Sequence, residues 1–398
     1  MIPAARLELL NAAYERHFGA RRREAYLIAA PGRVNLIGDH IDYNSLAVLP
    51  MAIRRHITLL SSPRTDAAVR IVNTNSEFAT RSFEIESGIA PFSPGDWGNY
   101  VKAAVQALAD RFGAGRGFDA VLASDLPVAA GLSSSSALVV AAALAFVTAN
   151  DIVVQPLELM ELLAEAERYV GTRGGGMDQA VCLGAVEQTA LRVDFSPLRL
   201  APRQIPAGWC FVVISSWQRA EKSGAARDAY NQRTQECREA LASVLTHLDL
   251  PAGVDSYSGL FGEVGASQLL EAGDRVLGGT LRRRFRHVVT EAHRVNEAEA
   301  AMADEDLDGF GRIMTESHAS LRDDYDVSTP ELDEIVEAAV AAGAQGARLT
   351  GAGMGGSAVA VCSEEAAAAL VAGLAERYNG QDQVFVAEPA GGASVTAL

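Results

Sequence analysis

Residues 131–137, GLSSSSA, lead directly into an apolar run that ends at Ala149. No other segment constrains the chain so tightly. The pattern predicts a core helix over 133–148, apolar all round, with a polar start. Glycine permits close backbone approach there. The serine hydroxyls and the unpaired N–H groups of the first turn face outward, and the helix dipole favours an anion. Four consecutive serines exceed what an N-cap needs. The segment reads as a phosphate cradle. The chain contains no GxxxxGK[ST], which excludes an ordinary P-loop.

Around this helix the pattern predicts further helices over 4–18, 98–112 and 156–170. Strands are expected over 26–30, 34–37, 47–53, 57–60, 118–123, 189–195 and 210–214. From 221 to about 342 the chain reads as mostly helical. A strand pair (347–350 and 358–361), a helix (364–378) and a strand (384–387) complete it. Strands followed by helices, without regular βα alternation, imply an α+β fold. The change in composition puts a soft boundary near 207, giving domains over 1–207 and 208–398.

Composition narrows the classes. The 398 residues carry a formal charge of −16 and 49% hydrophobic residues. That is a chain able to bury cores, and it is too acidic for non-specific nucleic-acid binding. Cys182, Cys210, Cys237 and Cys362 form no CxxC pair, which argues against a disulfide framework or structural zinc. The first residues lack the apolar stretch of a signal peptide, and the longest apolar run is too short to span a membrane. A soluble cytoplasmic protein is expected, without nucleic-acid or membrane partners. Only two lysines, Lys102 and Lys222, stand among 34 basic residues.

Three more loops concentrate chemistry. Residues 31–44, PGRVNLIGDHIDYN, gather Arg33, Asp39, His40 and Asp42. Carboxylates accept hydrogen bonds from hydroxyls and imidazole does either, so the cluster suits a polyhydroxylated small molecule. The other reading is a polar loop satisfying its own backbone. Residues 171–179, GTRGGGMDQ, place three glycines before Asp178, a candidate base beside a close backbone approach. A long turn with an Asp N-cap is the alternative. Residues 350–357, TGAGMGGS, contain GxGxxG, but the residues that follow read as a strand rather than a helix. That argues against a dinucleotide fold.

In this order, the four loops resemble the GHMP small-molecule kinases, and within them the galactokinases. Residues 31–53 resemble the galactokinase sugar signature, 131–137 the ATP motif, 177–179 the catalytic motif and 351–356 the third motif. Residues 97–102 and 230–233 also resemble family segments. The resemblance implies a two-domain α+β fold of mixed sheets and helices, with the site in the inter-domain cleft. It also implies transfer of the ATP γ-phosphoryl to the anomeric hydroxyl of galactose. In that reading Asp178 is the base and Arg33 stabilises charge. Arg33, Asp39, His40, Asp42, Gly175, Asp178 and Tyr230 bind the sugar. Gly131, Leu132, Ser133, Ser134, Ser135 and Ser136 bind the ATP phosphates, and Trp97 is expected near the adenine. Ser135 and Glu167 are the expected Mg²⁺ ligands.

The chain departs from the family at several positions. Asp39 stands for the usual Glu, Ile41 for Thr, and Met354 and Ser357 for Phe and Cys. Position 166, where the family's metal-binding Glu falls, is Ala, between Glu165 and Glu167. These departures keep two rivals in view: a kinase for galacturonate, N-acetylgalactosamine or L-arabinose, and an inactive sugar sensor that binds a regulator. If a uronic acid were the substrate, Lys222, Arg219 or Arg227 could neutralise its carboxylate.

Overall fold

The computed structural model describes residues 2–20, 24–113, 115–216, 224–378, 380 and 383–398. Helix α1 (Ala4–Phe18) precedes strands β1 (Tyr26–Ile37), β2 (Leu49–Pro63), β3 (Ala68–Asn73) and β4 (Arg81–Glu84). Next come α2 (Gly98–Phe112), β5 (Phe118–Ser124), α3 (Ser134–Ala149), α4 (Pro156–Ala166) and α5 (Met177–Gly184). A hairpin, β6 (Thr189–Phe195) and β7 (Leu198–Gln204), leads to β8 (Trp209–Ser215). The helical stretch holds α6 (Ala225–Leu245), α7 (Tyr257–Glu263), α8 (Ala266–Val276), α9 (Gly279–Ala303), α10 (Leu307–Asp323) and α11 (Pro330–Ala341). The chain closes with β9 (Gly346–Thr350), β10 (Ser357–Ser363), α12 (Glu364–Arg377), β11 (Val384–Val386) and β12 (Ser394–Ala397).

Two sheets organise these elements. The first has the order β12-β1-β2-β5-β3-β4, antiparallel except for the β3–β5 pair. The second has the order β11-β8-β10-β9 and is antiparallel throughout. Mixed sheets with helices, lacking βα alternation, make the fold α+β as expected. Helix α3 is buried almost all round, with Ala137, Val139, Val140, Ala141 and Phe146 fully enclosed. It packs on β1, β2 and α2. An Ala/Val helix has no polar face to offer water, so the core closes over it and only its N-terminal turn stays polar.

The structure also corrects local expectations. The strands read as 26–30 and 34–37 are one strand, β1, whose pairing with β2 shifts register at Pro31/Gly32. Those read as 47–53 and 57–60 are likewise one strand, β2. A proline and a charged Arg54-Arg55-His56 step look like breaks in sequence, but long antiparallel strands absorb them at a bulge. The helix expected over 156–170 ends at Ala166 and continues as a 3₁₀ turn, Glu167–Val170. Strands β3, β4, β7 and β12 went unread. β12 pairs with β1, so the chain's end returns to the first sheet. Arg219 and Lys222 lie outside the described residues.

Candidate active site

A cavity forms where β1 and the turn after it meet the loop before α5, the start of α6 and the loop between β9 and β10. Its lining includes Arg33, Asp39, His40, Asp42, Asp178 and Tyr230. Glu167, Gly175, Gln179, Arg227 and residues 351–354 also line it. Sugar-signature and catalytic-motif residues far apart in sequence therefore share one chamber, lined from both sides of position 207.

Asp178 sits in the first turn of α5. Its Oδ1 accepts from Arg33 Nε at 2.8 Å, with Arg33 Nη2 also at 2.8 Å. Arg33 Nη1 donates to the Gly131 carbonyl at 2.6 Å. One guanidinium thus ties the carboxylate to the serine loop, and charge-assisted bonds of this kind are the strong ones. On the other side, Ser136 Oγ donates to Glu167 Oε1 at 2.5 Å and stands within hydrogen-bond distance of Asp178 Oδ2, at 3.2 Å.

Asp42 is pushed up to about 6, first by burial and then by the neighbouring Asp178 charge. Its Oδ2 accepts from the Gly175 N–H at 3.2 Å. A Cβ at 175 would lie 2.2 Å from the Asp42 carbonyl carbon, so only glycine brings the backbone this close. His40 takes a left-handed φ of 66°, the kind of backbone strain that gathers at functional sites. Burial, followed by the charge of His287, lowers its pKa to about 3, against the influence of the Ala352 backbone. The ring is neutral throughout the physiological range. His40 Nε2 and Gln179 Nε2 are buried in the cavity wall with no hydrogen-bond partner among the described residues. Buried polar atoms are rarely left so, and a polar ligand would complete them.

Asp39 is held rather than free. Its oxygens accept from Asn35 Nδ2 and Arg348 Nη2, each at 2.7 Å. Burial raises its pKa, against the charge of Arg348. Arg348 is fully enclosed and also donates to the Asn35 and Leu36 carbonyls. Sequence reading missed Arg348, Asn35 and the buried Glu291 beside them. A lone arginine in the apolar strand ending at Thr350 was the available signal.

The serine loop brackets the site. Ser133 adopts a left-handed φ of 58°, and no side chain caps α3. Its buried Oγ has no partner among the described residues. The Gly131 backbone packs against the third glycine loop, where a Cβ at 351 would fall 2.7 Å from the Gly131 carbonyl. Leu132, Ser134 and Ser135 lie in this loop and first turn, outside the cavity lining. Trp97 also lies away from it, its indole N–H donating to the Ala79 carbonyl at 3.1 Å. Of the two glutamates flanking Ala166, Glu165 is exposed and paired with Arg168, whereas Glu167 is buried against Ser136. Among the described residues no cluster of three His, Cys, Asp or Glu could hold a metal. A magnesium ion needs only one or two carboxylates when phosphates supply the rest. Glu167 with serine hydroxyls is a hard-oxygen set of that kind and fits.

Three family profiles match the chain. The GHMP kinases N terminal domain covers residues 99–185, and the GHMP kinases C terminal covers 298–380. Together with the fold, they define a GHMP small-molecule kinase. The galactokinase galactose-binding signature matches residues 12–63. The chain is 37% identical to the galactokinase of Roseiflexus sp. (strain RS-1), covering 93% of this chain and 91% of that protein. It is 35% identical to the Bos taurus galactokinase, at 96% and 95% coverage. The crystal structure of Lactococcus lactis galactokinase complexed with galactose superposes with a TM-score of 0.87 at 29% identity, covering 98% of this chain and 99% of that one. This chain belongs to the galactokinase family. Methanococcus jannaschii mevalonate kinase shares the fold alone, with a TM-score of 0.62 at 17% identity over 93% of this chain and all of that one.

Proposed function

We propose that the chain phosphorylates galactose at its anomeric hydroxyl, turning ATP into ADP and releasing galactose 1-phosphate, with Asp178 as the base. The observation that carries this reading is Asp178 gripped by Arg33 and Ser136 in a chamber where His40 Nε2 and Gln179 Nε2 lack partners. Phosphoryl transfer needs positioning and electrostatic stabilisation more than covalent help. Asp178 would hold the C1 hydroxyl and take its proton. Arg33 would offer a fixed positive charge where charge develops on the phosphoryl group. Asp39, His40, Asp42 and Tyr230, with the Gly175 backbone, would receive the sugar's other hydroxyls.

The open start of α3, residues 131–136, would receive the ATP phosphates, whose negative charge suits its unpaired N–H groups. Trp97 is proposed beside the adenine. Glu167 and Ser135, with Ser136 adjoining, would hold Mg²⁺, which offsets phosphate charge when bound. We also propose a division into domains over 1–207 and 208–398, apart from the terminal strand β12, with the site between them.

A coupled ADP-release assay across galactose, galacturonate, N-acetylgalactosamine, L-arabinose and glucose tests the reading. Galactose should be the best substrate, and galacturonate at least about tenfold worse in kcat/KM, or about 1.4 kcal/mol. Asp178→Asn keeps the side-chain shape but removes the base. Its kcat should fall by roughly 10²–10⁴ with nucleotide binding preserved. Near wild-type turnover in that variant would displace Asp178 from the role, and preference for another sugar would displace galactose.

A further inference from the structure

Two buried histidines flank the sugar signature, and only one has its proton placed by its neighbours. His287 Nε2 lies 3.1 Å from the Asp39 carbonyl, which can only accept, so that nitrogen donates. His40 is different. Its Nδ1 lies 2.9 Å from the Tyr43 hydroxyl, which can donate or accept, while Nε2 is the unpartnered atom in the cavity wall.

The ambiguity is resolved further along the hydrogen-bond chain. Tyr43 Oη is 2.6 Å from Tyr325 Oη, and Tyr325 Oη is 3.1 Å from Cys237 Sγ. Tyr325 and Cys237 are completely enclosed. Three contacts in a row need three protons, and the two hydroxyls supply two. The third comes from one end, either from the His40 ring or from the Cys237 thiol. A thiol is the weaker donor of the two. The protons therefore point from the ring toward the sulfur.

We propose that Tyr325 and Cys237, acting through Tyr43, hold His40 in the Nδ1–H tautomer, so that Nε2 is an acceptor selecting a hydroxyl donor on the substrate. Tyr325 and Cys237 are positioning residues here. The selecting part rests on the sugar-site reading above; the tautomer part does not.

The test is ¹⁵N NMR of the protein labelled at histidine, without ligand, the His40 signals being assigned by their loss in His40→Gln. Wild type should show a protonated Nδ1 and a bare Nε2. In Tyr325→Phe the Tyr43 hydroxyl loses its acceptor and turns onto Nδ1, so the tautomer should flip. Cys237→Ala removes the far acceptor, so the two hydroxyls alone satisfy the two remaining contacts and the tautomer should shift part of the way toward Nε2–H; an unchanged tautomer there overturns the part assigned to Cys237. A wild-type Nε2–H form, with the Ala352 carbonyl as the stronger influence, overturns the proposal. So does an unchanged tautomer in Tyr325→Phe. In kinetics, Tyr325→Phe should raise KM for galactose about tenfold, the upper end for one hydrogen bond, with KM for ATP unmoved. A flip without any change in galactose KM overturns the selecting part and strikes the sugar-site reading, leaving the relay itself intact.

Discussion

Asp42 carries the clearest pH consequence of any side chain in the cavity. Its pKa is raised from 3.8 to about 6 by burial and by Asp178. A carboxylate accepts hydroxyl hydrogen bonds best when ionised, which for Asp42 means above pH 6. Activity dependent on it should therefore fall as pH drops through about 6, and the fall reflects binding rather than unfolding. The linkage sign agrees. A folded pKa above the unfolded value makes the ionised form a cost to stability, fully present above pH 6 and absent below 3.8. Acid thus relieves this residue while disabling it. In a kcat/KM profile for galactose, wild type should show an acid limb near pH 6 that Asp42→Asn lacks. A limb that persists in the variant would assign it to another group. Asp39, His40 and Asp42, which line one cavity, were signalled in sequence by their density in one short loop together with that loop's resemblance to the galactokinase sugar signature. Arg348 was not, because its hydrogen-bond partners lie more than 300 positions away and a single cation in a strand carries no periodic signal.

Secondary structure amplifies such residues by aiming them. Helix α3 presents its first turn toward α5, which delivers Ser136 onto both Glu167 and Asp178. The four-serine run made that polar turn readable from sequence, and the apolar run behind it made the core helix readable. Which serine points where depends on the left-handed Ser133 that starts the helix, and no residue pattern encodes that angle. The glutamate position is a similar case. Sequence placed Glu165 and Glu167 on either side of Ala166 and named Glu167 without a pattern to decide it; the switch from α-helix to 3₁₀ turn at 167 buries Glu167 and leaves Glu165 exposed. The two serines are separable by experiment. Ser135→Ala should weaken binding of magnesium–ATP more than of ATP alone, with kcat per bound complex little changed. Ser136→Ala should also lower kcat, by about tenfold, because it removes a hydrogen bond from the proposed base. Titrations with and without magnesium, paired with turnover at saturation, decide between them. Equal losses of ATP and magnesium–ATP affinity in Ser135→Ala would remove that hydroxyl from the metal site.

At the scale of the whole chain, the two sheets are joined by charge as well as by apolar packing. Arg348, in β9 of the second sheet, reaches Asp39 at 2.7 Å and Glu291 at 3.8 Å. Glu291 on α9 accepts from the Gly38 N–H, from Ser317 on α10 and from Arg294. Both Arg348 and Glu291 are fully enclosed. Burial alone would raise the Glu291 pKa, but Arg294, Arg348 and His287 together bring it down to about 2. Its contribution to stability is therefore complete above 4.5 and lost as pH falls from there toward 2. Removing the shared cation is the sharper test. Arg348→Met keeps much of the side-chain volume but leaves two buried carboxylates facing each other without their common partner. Breaking a buried pair in this way costs about 3–5 kcal/mol, more than the mere absence of a salt bridge, because the stranded charges stay desolvated. Urea unfolding at pH 7 should show that loss. Replacing Glu291 with Gln in the same variant should recover part of it, because one of the stranded charges is then gone. Because Asp39 also faces the cavity, galactose KM should rise in Arg348→Met while it is still folded, before any loss of nucleotide affinity. A stability change below about 1 kcal/mol, the range of an exposed pair, would mean that apolar packing alone holds the sheets together around the site.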